Sequence, residues 1–231
     1  MNLGTVLVTG GSSGLGLAVT AAVAVAGGRP VVLDRQPPPA DSGIELDHVL
    51  VDLADTAAAE RAVADAARRH GGLDAVVTAA GIDRCGALEE VPAADWELVI
   101  RVNLVATAAV VRAALPHLRR SKGRVVTVAS TLGLRALPHA TAYCASKFGV
   151  VGLTRALAAE TAGEVGVTLL IPGGMRTAFF DDRPEQYRPG PDAKLNDPRD
   201  VAAAVLFALS QPVGCELREL TVCPATEPSW P

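Results

Sequence analysis

Residues 5–26, TVLVTGGSSGLGLAVTAAVAVA, decide the fold of this chain. A short apolar run at 5–8 precedes a glycine-rich turn, and an alanine- and valine-rich segment follows the turn. This order predicts a strand, a tight turn and a helix, which is the context that gives a glycine-rich match its meaning. The free N–H groups and the positive dipole end at the start of such a helix favour a bound phosphate.

The glycines of this turn have different expected uses. Gly10 permits the tight turn, while Gly14 and Gly16 let the backbone approach a pyrophosphate and let the helix pack on the strand. The alternative is a loop whose glycines serve turn geometry alone. We expect cofactor contacts from Gly10, Ser12, Ser13, Gly14, Leu15 and Gly16.

Apolar runs alternate with helix-like segments along the rest of the chain. Strands are predicted at 31–33, 48–51, 73–77, 123–129, 167–171 and 219–223, and helices at 55–70, 95–117, 141–161 and 198–210. Asp95 is expected to cap its helix, and 36–43 to be a turn-rich loop. Continuously apolar strands are typical of parallel strands covered on both faces. We therefore predict an α/β fold in one domain, residues 1–231, with a Rossmann-like doubly wound parallel sheet of about seven strands and helices on both faces.

Asp34 ends the second predicted strand, about 20 residues after the glycines. An acid at this position can accept hydrogen bonds from both hydroxyls of an adenine ribose, and it would repel a 2′-phosphate. Ser13 is neutral where a phosphate site would favour a base. Arg35 argues the other way, since an arginine there could hold a 2′-phosphate. We expect NAD as the cofactor, with NADP as the open alternative.

Small or polar residues follow three other predicted strands. Asp52 and Leu53 follow the third strand, where an acid can meet the adenine amino group. The segments 78–81 and 172–177 follow the fourth and the sixth. Because ligands bind outside the carboxyl ends of strands in open α/β sheets, we expect these segments to share one crevice. The expected cofactor contacts are Asp52, Leu53, Ala79, Ala80, Gly81, Pro172, Gly173, Met175 and Thr177, together with Tyr143 and Lys147.

Tyr143 and Lys147 lie at positions i and i+4 of a predicted helix, so they share one helix face. A free tyrosine has a pKa of about 10 and is a poor base at neutral pH. A neighbouring ammonium favours the phenolate and is expected to lower that pKa, which general acid–base catalysis needs. Ser130, at the end of the fifth predicted strand, could hydrogen-bond an oxygen that also faces Tyr143. The alternative is a solvated helix face that carries the pair by chance.

Asn103 lies inside the predicted helix 95–117. Asparagine is a poor residue for a helix interior, because its side chain competes for backbone hydrogen bonds. One interpretation is a local helix distortion that holds a water near the site, and the alternative is a tolerated polar residue.

Residues 178–197 are polar, proline-rich and irregular. Loops of this length are unusual unless they are functional, so we expect a lid over a substrate pocket. In this lid Arg183 and Arg188 could recognise an acid or could be solvated. Nearness to the motifs suggests pocket-lining candidates, which are Asp83, Arg84, His139, Met175, Phe179 and Phe180.

Composition narrows the class of protein. The chain has 231 residues, is 49% hydrophobic and has a net charge of −4, so it can bury a full core but offers no basic stripe for nucleic acid. We see no run of the roughly 18 apolar residues that a membrane span needs, and an apolar strand-like run begins at Thr5, so we expect neither a membrane span nor a signal peptide. The cysteines lack metal-site spacing, so no metal is expected and reduced thiols predict a cytoplasmic protein. Cys144 is expected to be a packing residue.

The predicted helices 95–117 and 141–161 are apolar nearly all round. A helix that is apolar on every side is buried on every side, so a second subunit is expected against them. Ala145, Gly149 and Gly152 are small enough for close approach. We expect a homodimer or homotetramer, with cover by the chain's own lid as the alternative.

Taken together, these motifs resemble the short-chain dehydrogenase/reductase superfamily along nearly the whole chain. The matching residues are Thr9, Gly10, Gly14, Gly16, Asp34, Asp52, Gly81, Asn103, Ser130, Tyr143, Lys147, Pro172, Gly173 and Thr177. The resemblance implies that Tyr143 is the general acid/base and that Ser130 positions the substrate oxygen. It also implies that Lys147 lowers the tyrosine pKa and binds the nicotinamide ribose, and that Asn103 completes a water relay.

The implied reaction interconverts a secondary alcohol and a ketone with NAD(H), with the backbone near Pro172 and Thr177 holding the carboxamide. The alternatives are an NADPH-dependent ketoreductase of a biosynthetic pathway and a non-catalytic nucleotide-binding scaffold. The chain departs from the family at 78–81, where Thr-Ala-Ala-Gly replaces the usual Asn-Asn-Ala-Gly and removes a side-chain link to the neighbouring strands. The ending, 197–224, is similar to bacterial members that act on 3-hydroxy acids and related alcohols.

Overall fold

A computed structural model describes residues 3–39 and 46–230, and within these ranges seven parallel strands form one sheet. The sheet order is β3-β2-β1-β4-β5-β6-β7, so the chain winds outward from β1 in both directions. The strands are β1 (Thr5–Thr9), β2 (Arg29–Asp34), β3 (Asp47–Leu50), β4 (Ala75–Thr78), β5 (Arg124–Val128), β6 (Gly166–Pro172) and β7 (Glu219–Val222). The predicted doubly wound parallel sheet is confirmed. Part of the loop expected at 36–43 lies outside the described residues.

Helices cover both faces of the sheet. They are α1 (Gly14–Val25), α2 (Thr56–His70), α3 (Ala93–Ile100), α4 (Ala106–Ser121), α5 (Thr141–Glu160) and α6 (Pro198–Leu209). Helices α1 and α6 pack together on one face, and α2, α4 and α5 lie on the other. Successive strand side chains point to opposite faces, so Val6 and Val8 contact the first layer while Leu7 contacts the second.

Two helix starts agree with the sequence and one does not. Asp55 caps α2 by accepting a hydrogen bond from the Ala58 N–H, and Asp197 caps α6 in the same way. The prediction that Asp95 caps a helix is wrong. Pro92 has an extended ψ of 137°, and its carbonyl accepts from the N–H groups of Asp95 and Trp96. The helix therefore begins at Ala93, and Asp95 lies inside its first turn.

The helical stretch from Ala93 to Ser121 has the length and apolarity of a membrane span, with a mean hydropathy of 1.8. The core helix of a compact domain has the same composition, and α4 is such a helix. Its buried residues, among them Val110 and Leu118, pack against α2 and the sheet. Of the most apolar window of this stretch, 44% is buried inside the fold.

Candidate active site

The glycine turn joins β1 to α1 at the carboxyl edge of the sheet. Gly10 has a φ of 68°, and a Cβ on it would lie 2.8 Å from the Ala80 Cα. A Cβ on Gly16 would lie 2.0 Å from the Gly10 carbonyl oxygen. Both positions therefore exclude any side chain, because the turn packs against the loop after β4 at Gly10 and the first turn of α1 packs back against the glycine turn at Gly16. Gly14, at the first residue of α1, lies opposite Thr177 across the edge, with 3.5 Å between a Cβ there and the threonine.

Asp34 is held over this turn by backbone hydrogen bonds. Its carboxylate accepts from the N–H of Ser12 at 3.1 Å and from the N–H of Gln36 at 3.1 Å. The Ser12 hydroxyl donates to the Gln36 carbonyl at 2.7 Å, which ties the turn to the end of β2. The acid therefore has a fixed position beside the glycines. Ser13 and Arg35 are both exposed.

The next two strand ends place their residues differently. Asp52, after β3, is exposed and accepts a hydrogen bond from the Ala54 N–H within its own turn, whereas Leu53 is buried. After β4, the Ala80 N–H donates to the Thr9 hydroxyl at 3.2 Å. Gly81 faces the site, since a Cβ on it would lie 3.5 Å from Asn103 Oδ1 and 3.6 Å from Lys147 Nζ.

The departure at 78–81 leaves a buried hydroxyl without a partner. Among residues 3–39 and 46–230, no group hydrogen-bonds the Thr78 Oγ1. Its neighbour across the sheet, Thr127, is also buried but shares a 2.6 Å hydrogen bond with the Thr154 hydroxyl. The lost side-chain link expected from the sequence is therefore visible as an unsatisfied group in β4.

Thr78→Val should keep or raise the free energy of unfolding, because a buried hydroxyl without a partner costs about 1–3 kcal/mol. Thr127→Val is the matched control and should lower it by about 1 kcal/mol, since it removes a made hydrogen bond. Urea denaturation of both variants measures the difference. If Thr78→Val lowers the free energy of unfolding as much as Thr127→Val does, the Thr78 hydroxyl has a hydrogen-bond partner after all.

Asn103 lies in a single π-helical turn, Arg101–Val105, between α3 and α4. The local helix distortion, one of the two interpretations of Asn103, is present, and the water that it would hold stays a prediction. The Asn103 side chain accepts from the Ile82 N–H at 2.8 Å and donates to the Ile82 carbonyl at 2.9 Å and to the Ser146 hydroxyl at 3.0 Å. Both amide donors are thus used within the protein. The side chain fixes the loop after β4 against α5.

Tyr143, Lys147 and Ser130 meet between β5 and α5. Tyr143 is 9% exposed and Lys147 is 4% exposed, so the solvated-face alternative for this pair is wrong. Lys147 Nζ lies 5.6 Å from the centre of the Tyr143 ring and donates to the Val128 carbonyl, at the end of β5, at 2.8 Å. Ser130, two residues after that carbonyl, accepts from the Leu132 N–H at 3.1 Å and lies near enough to the Tyr143 phenol to influence its pKa.

The predicted lowering of the tyrosine pKa is contradicted. Burial raises the pKa of Tyr143 above its ordinary value, and the Ser130 side chain opposes this only in part. Burial also lowers the pKa of Lys147 to about 8. The physical reason is desolvation on burial, which disfavours the charged form of each group. Tyr143 therefore keeps its proton at neutral pH.

The loop after β6 completes the edge. The Gly173 N–H donates to the Val222 carbonyl in β7 at 2.9 Å, and the Gly174 N–H donates to the Glu227 carboxylate at 2.8 Å. Pro172 is buried as the last residue of β6, and Met175 pairs with Asn196 in an isolated bridge. Thr177, facing Gly14, accepts from the Phe179 N–H. The segment thus crosses from the sheet edge to the glycine turn.

The segment expected to be a lid lies against Tyr143. The Phe179 ring is 5.7 Å from the Tyr143 ring, and Arg183 forms an ion pair with Asp83 at 2.7 Å. Arg188 is exposed and donates to the carbonyl groups of Arg183 and Asp181. Of the two arginines weighed from the sequence, only Arg183 is withdrawn from solvent.

Other pocket candidates lie further out. His139 has a φ of 61° and its ring stacks on Tyr187 at 5.5 Å, while the Arg84 side chain is exposed. All four cysteines lie within the described ranges and are free thiols. Cys144 is buried in the cluster around Tyr143, which confirms it as a packing residue.

Sequence reasoning missed the residues that brace the site from a distance. The Ser146 hydroxyl donates to the Tyr143 carbonyl at 2.8 Å while it accepts from Asn103. The Glu227 carboxylate accepts from Gly174 and from the Ser229 hydroxyl, and that hydroxyl also bonds Thr131 beside Ser130. Ser146 lies one residue before Lys147 and could have been found by its helix spacing to Tyr143. The sequence around Glu227 and Ser229 has no pattern that predicts a contact with the site.

Comparison with known proteins agrees with this geometry. Residues 4–188 match the model of the short chain dehydrogenase family. A D-beta-hydroxybutyrate dehydrogenase of Cupriavidus necator is 34% identical over 196 residues, or 80% of this chain and 76% of that protein. A 3-oxoacyl-(acyl-carrier-protein) reductase of Thermotoga maritima is 30% identical over 219 residues, covering 88% of this chain and 89% of that protein.

Solved structures show the same fold. An alcohol dehydrogenase from the archaeon Thermococcus sibiricus, solved with 5-hydroxy-NADP, superimposes with a TM-score of 0.85 at 24% identity and covers 96% of both chains. An aldohexose dehydrogenase of Thermoplasma acidophilum gives a TM-score of 0.83 at 24% identity. With a family model matched over most of its length and relatives above 30% identity, the chain belongs to the short-chain dehydrogenase family of oxidoreductases.

Proposed function

We propose that this oxidoreductase interconverts a secondary alcohol and a ketone by hydride transfer with NAD(H), and that Tyr143 is its general acid/base. The observation that carries the proposal is the meeting of Tyr143, Ser130 and Lys147 at the sheet edge that also bears the glycine turn. The proposed proton-transfer group and the proposed pyrophosphate-binding turn then belong to the same edge of the sheet. Asn103 acts as a positioning residue, because it fixes the loop after β4 against the helix that carries Tyr143.

The residues present fit a dinucleotide. Side chains are excluded at Gly10 and Gly16, so the backbone is open to a pyrophosphate at the N-terminus of α1. Asp34 accepts the ribose hydroxyls, and Thr177 with the backbone after Pro172 holds the nicotinamide end. Gly81 and Lys147 lie between these ends, where Lys147 binds the second ribose. The bound nicotinamide supplies the acceptor or donor of the hydride.

The chain's own groups handle the proton. Since burial raises the pKa of Tyr143, the phenol is protonated at neutral pH and can give its proton to a ketone oxygen during reduction. Ser130 donates to the same oxygen and holds it beside the phenol. Lys147 stabilises the phenolate that this step leaves.

A panel of 3-oxo esters, simple ketones and secondary alcohols with each nicotinamide cofactor tests the reaction. The absorbance of the reduced nicotinamide should change with at least one substrate of this panel. Cofactor binding without turnover on any of them would favour the nucleotide-binding scaffold instead.

Asp34 is proposed to select NAD over NADP. A carboxylate about 4 Å from a 2′-phosphate costs about 1 kcal/mol in water and about 4 kcal/mol near a protein surface. Asp34→Ala should therefore shift the ratio of the two dissociation constants toward NADP⁺ by about tenfold to a hundredfold, measured by calorimetric titration with both cofactors.

The NADPH-dependent alternative predicts the opposite pattern. Arg35, exposed beside Asp34, would then hold the 2′-phosphate, so the wild type would bind NADP⁺ more tightly than NAD⁺ and Arg35→Ala would weaken NADP⁺ alone. That pattern would overturn the assignment of Asp34.

A homodimer or homotetramer through α4 and α5 also remains a proposal. Phe148 is 45% exposed on α5 beside Ala145 and Gly152, and Val105 at the start of α4 is 46% exposed. Gly149, expected at this interface, instead meets Leu104 of the same chain, since a Cβ there would lie 2.6 Å from the leucine. Light scattering at micromolar concentration tests the assembly.

We also propose that residues 178–197 act as a lid, that 1–231 form one domain and that the protein is cytoplasmic.

A further inference from the structure

A buried ion pair joins the loop after β4 to the lid. The Asp83 side chain is 2% exposed and the Arg183 side chain is 16% exposed, and their Oδ2 and Nη2 atoms are 2.7 Å apart. The two residues are 100 positions apart in the sequence. The pair is therefore a tertiary contact that exists only while the lid lies on the domain.

The pair lies beside the proposed acid/base. The Arg183 guanidinium stacks on Phe179 at 5.2 Å, and Phe179 in turn lies 5.7 Å from Tyr143. Both charges act on the phenol, with Asp83 raising the pKa of Tyr143 and Arg183 lowering it. With the cofactor proposed beside Lys147, Gly81 and the glycine turn, Asp83 and Arg183 border the proposed substrate side of Tyr143.

Further hydrogen bonds hold both side chains of the ion pair in place. Asp83 also accepts from the Arg84 N–H at 2.7 Å and from the Cys85 thiol at 3.1 Å. Arg183 also donates to the Tyr187 carbonyl at 3.4 Å, and its Nε is buried with no partner in the described part of the chain. Asp83 is thus the carboxylate on which the Arg183 charge depends, and the lid arginine is already neutralised before a substrate arrives.

We propose that Asp83 makes the enzyme select its substrate by charge. By neutralising Arg183, Asp83 makes the proposed pocket beside Tyr143 accept uncharged carbonyl compounds, such as 3-oxo esters and thioesters, and reject free 3-oxo acids. This inference rests on the proposed function. A substrate carboxylate would have to displace a pre-formed 2.7 Å ion pair and would leave Asp83 as a second buried anion. An ester carbonyl adds no charge and leaves the pair intact.

The inference separates this chain from one of its relatives. The Cupriavidus necator protein is named for hydroxybutyrate, a free acid, while the Thermotoga maritima protein is named for an acyl group held on a carrier. The Asp83–Arg183 pair places this chain with substrates of the second kind. The lid arginine alone, taken from the sequence, would have pointed to the first kind.

Calorimetry on the NAD⁺-loaded enzyme tests the inference without turnover, since an oxidised cofactor cannot reduce a ketone. The ligands are acetoacetate and methyl acetoacetate, titrated into the wild type, Asp83→Asn and the control Asp65→Asn. Asp65 forms an exposed pair with Arg68 on α2, so the control removes the same charge elsewhere. The wild type and the control should bind the ester more tightly. Asp83→Asn should shift the ratio toward the acid by about tenfold, because it releases the Arg183 charge.

Arg183→Gln is a second variant, and it should shift the ratio of acid binding to ester binding in the opposite direction from Asp83→Asn. It keeps the inference testable if Asp83→Asn does not fold. It leaves Asp83 unpaired, so binding of the acid should weaken further relative to the ester. Equal binding of acid and ester by the wild type, an unchanged ratio in both variants, or binding of neither ligand would overturn the inference. The expected binding pattern without turnover would support it and would count against the proposed reaction alone.

Discussion

Tyr143→Phe is expected to lower the turnover number by about 10²–10⁴-fold, the usual contribution of a positioned proton-transfer group. The substitution removes only the phenol oxygen. The phenyl ring keeps its contacts with Phe179 and with the buried Ala140 and Cys144, so the fold and the affinity for NAD⁺ should be unchanged. Steady-state kinetics and calorimetric titration with NAD⁺ measure the two quantities separately.

The chain offers a matched control for this experiment. It has two tyrosines, and the other one, Tyr187, lies in the lid with its ring on His139 and its backbone carbonyl on Arg183. Tyr187→Phe keeps both contacts and should keep its turnover number. Full turnover in Tyr143→Phe would exclude this residue as the acid/base.

Gly16→Ala is expected to have the largest effect on cofactor binding. A methyl group there would lie 2.0 Å from the Gly10 carbonyl oxygen and 2.6 Å from its carbon, both backbone atoms that no side-chain rotation can move. The turn must shift, which should lower the free energy of unfolding by about 3 kcal/mol. Because the displaced turn no longer presents its N–H groups to the pyrophosphate, NAD⁺ affinity should fall by about a hundredfold, or about 2.8 kcal/mol.

Gly152→Ala controls for the change of residue type. Gly152 lies in α5, and within the described ranges no atom lies within 4 Å of an added Cβ. Gly152 belongs to the proposed subunit interface but not to the proposed cofactor site, so this variant should bind NAD⁺ normally, and alanine should stabilise the helix within each subunit by about 1 kcal/mol. Thermal unfolding and cofactor titration of both variants check the pair. Normal NAD⁺ binding by Gly16→Ala would show that the turn does not carry the cofactor.

The sheet could be predicted because its signals are local. Each strand is a short apolar run, and the glycine turn between β1 and α1 has a spacing that few other structures require. The π-helical turn at Asn103 was also accessible, since a polar residue with a competing side chain interrupts an otherwise apolar helix. The predicted cap at Asp95 is wrong because the helix begins earlier, at Ala93. Pro92, with its extended ψ, lies just before this start.

The electrostatics of the site could not be predicted from spacing. The i, i+4 rule places Tyr143 and Lys147 on one face, but it carries no information on how deeply that face is buried. In the fold both side chains are almost fully withdrawn from water, and desolvation then governs both pKa values. A sequence pattern identifies the pair, and the surrounding fold sets its charge state.

The long-range contacts of the site also could not be predicted from the sequence. Arg183 is one of several arginines in a polar segment, and only the fold brings Asp83 to it across 100 positions. Glu227 and Ser229 lie near the end of the chain, yet they connect the loop after β6 with the turn beside Ser130. Such contacts depend on the order of strands in the sheet, which places β7 and the tail next to β6.

The transfer of label from deuterated NADH to a ketone tests the central claim most directly. The enzyme would be given NADH that carries deuterium at the transferable position of the nicotinamide, together with methyl acetoacetate, and the product alcohol would be analysed by mass spectrometry. The account predicts that the deuterium appears on the new carbinol carbon, and that Tyr143→Phe loses this transfer while it still binds NADH. A product formed without the label, or no product from any ketone despite tight NADH binding, would contradict it.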